Sequence, residues 1–176
     1  MRELTTVLFG GFAALFVSTG FATASGVEVK GPHICCQQCI KVVSAILGKV
    51  DGVSDVSSDI KTKSVKFTAK NSTAAQAGFK ALLDGGFFGA ATEDGKEIKL
   101  DIPATKKGEK VDVITVKDVH VCCGQCQKAV NKTFESSKVT YQGTGAQRTV
   151  RIEGAGLERS AVLEALRKAG FNGKID

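Results

Sequence analysis

One seven-residue segment occurs twice in the chain and restricts what the chain can fold into. The first copy is His33-Ile34-Cys35-Cys36-Gln37-Gln38-Cys39, and the second copy, 87 residues later, is His120-Val121-Cys122-Cys123-Gly124-Gln125-Cys126. All six cysteines and both histidines of the protein lie in these two heptapeptides. The remaining residues must present the same loop twice, which favours two small similar domains over one large core.

The amino-terminal segment 1–24 has the pattern of a secretory signal peptide. Arg2 supplies positive charge, residues 7–17 are apolar, and Ala22-Thr23-Ala24 offers the small side chains that a signal peptidase recognises. Because the apolar run is shorter than the roughly 20 residues of a membrane-spanning helix, cleavage is favoured over a retained anchor. We therefore expect a mature protein that begins near Ser25, has no membrane anchor and is periplasmic or secreted.

Segment 27–102 predicts a first domain with the order strand, helix, strand, strand, helix, strand. The predicted strands are 26–30, 53–58, 64–69 and 97–100; one helix follows Cys39 and the other is capped by Ser72 or Thr73. Helical spacing of apolar residues predicts the buried helix faces, which are Ile40, Val43, Ile46 and Leu47 in the first helix and Ala75, Phe79, Leu82 and Leu83 in the second.

Segment 111–176 repeats this order after a charged linker at 103–110. Its predicted elements are a strand at 111–119, a helix after Cys126, strands at 138–141 and 149–152, a helix from Leu157 to Lys168 with Val162, Leu163 and Leu166 inward, and a short last strand. This βαββαβ order places two helices on one face of a four-stranded antiparallel sheet. The sequence therefore predicts an α+β protein with two tandem ferredoxin-like domains.

The paired cysteines of each heptapeptide are expected where a strand is followed by a helix. The amino terminus of a helix stabilises thiolate, the form of cysteine that binds metal. Cys36 and Cys39 are three residues apart, so one turn of backbone can direct both sulfurs to one point, and Cys123 and Cys126 repeat the spacing. Two thiolates suit near-linear Cu(I), whereas tetrahedral Zn²⁺ needs further ligands.

Four residues are candidates for such further ligands: Cys35, Cys122, His33 and His120. Adjacent cysteines in extended backbone point to opposite sides, so Cys35 would point away from the Cys36–Cys39 pair unless the loop is irregular. The two sites could also cooperate, with six thiols holding one or more ions between the two domains.

The segment Ile34-Cys35-Cys36-Gln37-Gln38-Cys39 resembles the Met-x-Cys-x-x-Cys loop of the heavy-metal-associated domain. That family includes copper chaperones, the amino-terminal domains of copper-transporting ATPases and the periplasmic mercury-binding protein. Gly86-Phe87 and Gly170-Phe171 are similar to the family's Gly-Tyr/Phe near the metal loop. The resemblance implies that Cys36, Cys39, Cys123 and Cys126 are the metal ligands. It also implies that metal passes to a metal-transporting or metal-accepting protein by ligand exchange.

This sequence departs from the family pattern at three positions of each loop. Ile34 and Val121 stand where the family has a buried Met, Cys35 and Cys122 where it usually has Thr or Ser, and His33 and His120 where Gly is usual. The metal, Cu(I), Zn²⁺ or a similar soft ion, is therefore left open, as is a set of more than two ligands per site.

Other functions are weighed against metal binding. The net charge of +6 is spread along the chain without an aromatic-basic platform, so nucleic acid is not expected as a partner. Cys-x-x-Cys at a helix start also fits a thiol–disulfide oxidoreductase. A thioredoxin-like site, however, normally has a cis-Pro facing the disulfide and commonly a Trp just before it, whereas this chain has no Trp and its second domain contains no Pro. A third hypothesis is a structural role, in which the cysteines form disulfide bonds that stabilise the two small domains. With no acid–base or nucleophile constellation elsewhere, we expect a protein that is not an enzyme.

Overall fold

The computed structural model describes residues 24–102, 108 and 110–175. The predicted signal peptide and most of the predicted linker lie outside these residues. In the described part of the chain, no helix combines the length and apolar character that crossing a membrane requires. Two antiparallel sheets and four helices make up this part, which confirms the predicted α+β class.

The first sheet and its helices, here called the first unit, follow the predicted order with one extra strand. The elements are β1 (Ser25–Lys30), α1 (Gln37–Leu47), β2 (Val53–Asp59), β3 (Ser64–Ala69), α2 (Ser72–Asp84), β4 (Ala90–Glu93) and β5 (Lys96–Glu97). The strands lie in the order β2-β3-β1-β4-β5, and every neighbouring pair is antiparallel.

The second sheet and its helices, the second unit, repeat this arrangement without the extra strand. The elements are β6 (Lys110–His120), α3 (Gly124–Thr133), β7 (Lys138–Gln142), β8 (Gln147–Glu158), α4 (Arg159–Lys168) and β9 (Lys174–Ile175). Their order in the sheet, β7-β8-β6-β9, corresponds to β2-β3-β1-β4 of the first unit. Both units are consistent with a ferredoxin-like fold, while the domain boundaries themselves stay a prediction.

The buried faces of the helices largely follow the apolar spacing of the sequence. All of the residues predicted to face inward from α2 and α4 are buried: Ala75, Phe79, Leu82, Leu83, Val162, Leu163 and Leu166. In α1, Val43 and Leu47 are fully buried, but Ile40 and Ile46 are only half-buried and Cys39 takes a place on the inner face. Cys39 behaves here as a small apolar residue, so the buried face of α1 begins in the first turn of the helix.

The strand predicted at 97–100 is wrong as the partner of β1, because that partner is formed earlier in the chain and only Glu97 of the predicted range lies in a strand. Residues 90–93 pair with β1 as β4, and β5 then folds back onto β4. Ile98 is buried and donates its N–H to the carbonyl of Ala91 at 2.9 Å. The segment 90–93 is rich in Ala and Glu, which are depleted in strands, so its pairing is imposed by tertiary structure rather than by local preference.

Two helix starts also differ from the prediction. Asn71, not Ser72 or Thr73, caps α2, and its Oδ1 accepts a hydrogen bond from the N–H of Ala74 at 2.9 Å. Leu157 does not begin α4, because it extends β8 and pairs with Val111 of β6. The first difference arises because the side chain of Asn71 satisfies a free N–H of the helix, and the second because strand pairing with β6 holds Leu157 in extended backbone.

The two units meet through the residues that follow α2 and α4. Phe87 and Phe171 form an antiparallel β-bridge, and both are almost fully buried. The N–H of Phe88 donates to the carbonyl of Gly170 at 3.0 Å, and the N–H of Asn172 donates to the carbonyl of Gly86 at 2.9 Å. This reciprocal contact, here called the seam, brings the first turn of α1 close to the first turn of α3.

Candidate metal centre

The six cysteine sulfurs form one cluster across the seam. All six are free, and the Sγ atom of Cys35 lies 3.6 Å from those of Cys123 and Cys126, while Cys39 Sγ lies 3.6 Å from Cys122 Sγ. Within each unit the paired sulfurs are also close, at 3.6 Å for Cys36–Cys39 and 3.6 Å for Cys123–Cys126. The two predicted Cys-x-x-Cys loops therefore face one another across the seam.

The start of a helix positions the paired cysteines in each unit, as predicted. Cys36 is the N-cap of α1 and Cys123 is the N-cap of α3, both with extended backbone. Cys39 and Cys126 lie one turn further along and are fully buried, whereas Cys36 and Cys123 are half-exposed. Each helix therefore holds one thiol inside the protein and one near its surface.

Cys35 does not point away from the paired cysteines. Its Sγ lies 3.7 Å from that of Cys39, and Cys122 Sγ lies 3.9 Å from that of Cys126 in the other unit. The reason is that β1 ends at Lys30 and the chain continues as an irregular loop, so the alternation of an extended strand no longer applies.

Each predicted histidine stacks on the phenylalanine of the other unit. The rings of His33 and Phe171 have centroids 4.3 Å apart, and those of Phe87 and His120 have centroids 4.2 Å apart. His120 is fully buried, and neither of its ring nitrogens has a hydrogen-bond partner; the Nε2 of His33 is also buried without one. Leaving such an atom unsatisfied costs on the order of 1–3 kcal/mol, so these nitrogens are available for another interaction.

Three groups of side chains bring their ligand atoms within 4.8 Å of one another and could hold a metal ion. They are Cys39, His120, Cys122 and Cys126; His33, Cys35 and Cys126; and Cys35, Cys36 and Cys123. Every group contains residues of both units. The structure thus brings together all eight residues predicted from the sequence, and their role as ligands stays a prediction.

The distances between the sulfurs bear on the coordination number. A metal–sulfur bond of about 2.3 Å places two sulfurs about 4.6 Å apart in linear coordination, about 4.0 Å in trigonal and about 3.8 Å in tetrahedral coordination. The paired sulfurs lie 3.6 Å apart in each Cys-x-x-Cys loop. This spacing is closer to three or four ligands than to the near-linear pair expected from each Cys-x-x-Cys.

The thiols differ in their readiness to lose a proton. A hydrogen bond from Cys126 lowers the pKa of the Cys39 thiol well below its usual range. That same bond holds the proton on Cys126 and raises its pKa. Burial raises the pKa values of Cys35 and Cys122. Burial opposes ionisation of Cys123 too, but hydrogen bonds, first from the backbone of Cys126, lower its pKa to about 7.

The residues that sequence reasoning missed are the glycines of the seam. A Cβ atom on Gly86 would lie 2.3 Å from the backbone nitrogen of His120, and one on Gly170 would lie 2.5 Å from that of His33. Both glycines have positive φ, 87° and 86°. Their recurrence before a phenylalanine was visible in the sequence, but only the fold shows that each one contacts the other unit's heptapeptide.

Comparisons with known proteins add little to this geometry. No protein-family model matches the chain, and no curated protein matches it. Among solved structures, the chain is similar to the N-terminal soluble domains of Bacillus subtilis CopA at 16% sequence identity. The match covers 88% of this chain and 95% of that chain with a TM-score of 0.29, a likeness too low to support a conclusion.

Proposed function

We propose that the protein is an exported, non-enzymatic protein that binds a soft or borderline metal ion, Cu(I) or Zn²⁺, and passes it to a metal-transporting or metal-accepting protein. One observation carries the proposal: six free thiols from two distant segments form one cluster, in which each Sγ atom lies 3.6 to 3.9 Å from at least two others. Thiolate and imidazole are ligands that Cu(I) and Zn²⁺ prefer in proteins.

The differing exposure of the six cysteines supports transfer of a metal ion to a partner as well as its storage. Cys35, Cys36, Cys122 and Cys123 are half-exposed, while Cys39 and Cys126 are fully buried. A partner's thiols could reach the exposed sulfurs and displace them one at a time by ligand exchange. The predicted signal peptide supports action outside the cytoplasm, where free thiols need either a metal or a reductant to stay unoxidised.

Anaerobic metal titration of the reduced mature protein, followed by native mass spectrometry, tests the proposal. Tight binding of Cu(I) or Zn²⁺ is expected, and Cys36→Ser and Cys123→Ser should each change the stoichiometry or the affinity. The matched control is Ser44→Ala, which alters a residue of α1 outside the cluster. Failure of the reduced protein to bind either ion would contradict the proposed function.

The pKa of Cys123 favours one second candidate, a thiol–disulfide oxidoreductase. A value of about 7 at the start of α3 would give a reactive thiolate at neutral pH. Cys126 lies 3.6 Å away and could resolve a mixed disulfide. Insulin reduction by the metal-free protein, abolished in Cys123→Ser, would support this function in place of metal transfer.

A further inference from the structure

We propose that the cluster contains two ligand sets that cross the seam. The inner set is Cys39, Cys122, Cys126 and His120; the outer set is Cys35, Cys36 and Cys123. In each set all ligand atoms lie within 4.8 Å of one another, and the two sets share no residue. This inference rests on the proposed function and replaces one site per Cys-x-x-Cys pair with two sites that each need both units.

The inner set has the composition and spacing of a closed zinc site. Three thiols and one imidazole provide four ligands, and structural Zn²⁺ is commonly held by such a Cys₃His tetrahedron. The Sγ atoms of Cys39 and Cys126 lie 3.6 and 3.9 Å from that of Cys122, close to the roughly 3.8 Å of a tetrahedral zinc–thiolate site. Cys39, Cys126 and His120 are all fully buried. A bond from His120 to the metal would also satisfy a ring nitrogen that has no other partner.

The outer set suits Cu(I) better than Zn²⁺. It offers three thiols and no imidazole, with Cys123 Sγ at 3.6 Å from that of Cys35 and 3.9 Å from that of Cys36. Soft thiolates select Cu(I), which does not require a fourth ligand. All three residues are half-exposed, so an ion here is open to exchange. The inner ion would therefore be retained, and the outer ion would be the cargo.

His33 belongs to neither set, because the two cysteines of its group are divided between them. Its group takes Cys35 from the outer set and Cys126 from the inner set, and its side chain is only half-buried. The two histidines stack equally well on their phenylalanines, at 4.3 and 4.2 Å. They therefore form a matched pair in which only His120 is expected to bind metal.

Two double variants separate crossed sets from one site per unit. The full mature chain, reduced and loaded with one Zn²⁺ and one Cu(I), is measured by native mass spectrometry. For Cys36→Ser with Cys123→Ser we expect loss of Cu(I) and full retention of Zn²⁺, whereas independent Cys-x-x-Cys sites would both be lost. For Cys122→Ser with His120→Phe we expect loss of Zn²⁺ and retention of Cu(I), whereas independent Cys-x-x-Cys sites would both be kept.

Loss of both ions from the first double variant, or retention of both ions by the second, would overturn the inference. Cooperative uptake of four Cu(I) ions that expels Zn²⁺ would also overturn it. All of these outcomes still involve metal binding, so they are distinct from failure of the proposed function, in which the unaltered chain binds neither ion. Circular dichroism of the metal-free variants checks folding. Should a double variant not fold, the single variant Cys122→Ser, at a half-exposed position, keeps the second contrast: crossed sets predict loss of Zn²⁺, whereas independent Cys-x-x-Cys sites would both be kept.

The histidine pair provides a second readout. In Zn²⁺ competition with a chelator, His120→Phe should weaken binding by more than the roughly 100-fold that loss of an outer-shell partner costs, because it removes a direct ligand. His33→Phe, which keeps an aromatic ring stacked on Phe171, should change the affinity by less than the roughly tenfold lower bound for an outer-shell partner. Equal effects of the two variants would contradict the assignment of His120 to the inner set.

Discussion

The two units carry the same heptapeptide but give its histidine different surroundings. In the second unit β6 continues through His120, which pairs with Gln147 and is fully buried. In the first unit β1 ends at Lys30, because Pro32 has no N–H to extend the ladder, and His33 lies half-exposed in the loop that follows. The comparison teaches that a duplicated motif does not produce a duplicated site when the strands that lead to it end differently.

The largest loss of stability is expected from adding a side chain where the two backbones approach each other at the seam. Gly86→Ala would place a Cβ atom against the backbone of paired strand β6, at 2.3 Å from His120 N, in addition to the strain of its positive φ. We expect a loss of about 3 kcal/mol or more in the free energy of unfolding. Gly170→Ala should cost less, because the Gly31-Pro32 loop that it meets is not held in a sheet.

Urea unfolding of the metal-free protein measures this difference. The matched control is Gly95→Ala, which has a similar φ of 81° and nothing within 4 Å of the added Cβ. Strain alone should then cost about 1–2 kcal/mol. If all three variants lose the same stability, the close approach of the two units at the seam does not stabilise the protein.

A smaller effect is expected at Asn172, which differs from Phe88 at the equivalent place in the first unit. Its Nδ2 donates to the carbonyl of Leu83 at 2.9 Å, across the seam, and its Oδ1 accepts from Nε of Arg167 at 3.1 Å. Asn172→Ala removes both of these bonds, one of them from a charged guanidinium, and should cost about 2 kcal/mol. The carbonyl of Leu83 keeps the bond that it accepts from the N–H of Gly86 at 3.1 Å.

The control for Asn172 is Asn71→Ala, which removes the N-cap of α2 and should cost about 1 kcal/mol without touching the seam. Limited proteolysis of the two metal-free variants adds a second measurement, since only Asn172→Ala should expose the residues around Phe87. If Asn172→Ala loses less stability than Asn71→Ala, the side-chain hydrogen bonds of Asn172 do not stabilise the contact between the two units.

The comparison of the units also shows what the sequence could and could not predict. The repeated order of elements and the inward faces of α2 and α4 followed from spacing, because each face packs on its own sheet. The facing of the two Cys-x-x-Cys loops did not follow, since it depends on how closely Gly86 and Gly170 let two backbones approach. The sequence therefore predicted the candidate residues of the site but not the way in which they are combined.

The smallest expected effect concerns Tyr141, the single tyrosine of a protein without tryptophan, which reports on the second unit alone. Burial raises the pKa of Tyr141 to about 12. Its hydroxyl lies 2.7 Å from Oδ1 of Asn131 and 3.0 Å from the carbonyl oxygen of Gln127. The neutral phenol is thus favoured by folding, so its contribution to stability is complete below the ordinary pKa of about 10 and is lost as pH rises through about 12.

Ultraviolet absorption of tyrosinate measures this titration directly. The midpoint should fall toward the ordinary value in urea, and Asn131→Ala should lower it slightly, because one hydrogen-bond partner is lost. A midpoint near 10 in the folded protein would show that water reaches Tyr141 freely, which would contradict its burial in the second unit.

The backbone bridge between Phe87 and Phe171 has a kinetic consequence. It joins the two units beside the fully buried sulfurs of Cys39 and Cys126. An ion bound there would escape only when the bridge breaks, so its residence time would be governed by how often the units separate rather than by the strength of any one metal–sulfur bond. A protein that competed for the two bridge residues would then release this retained ion without offering a better ligand.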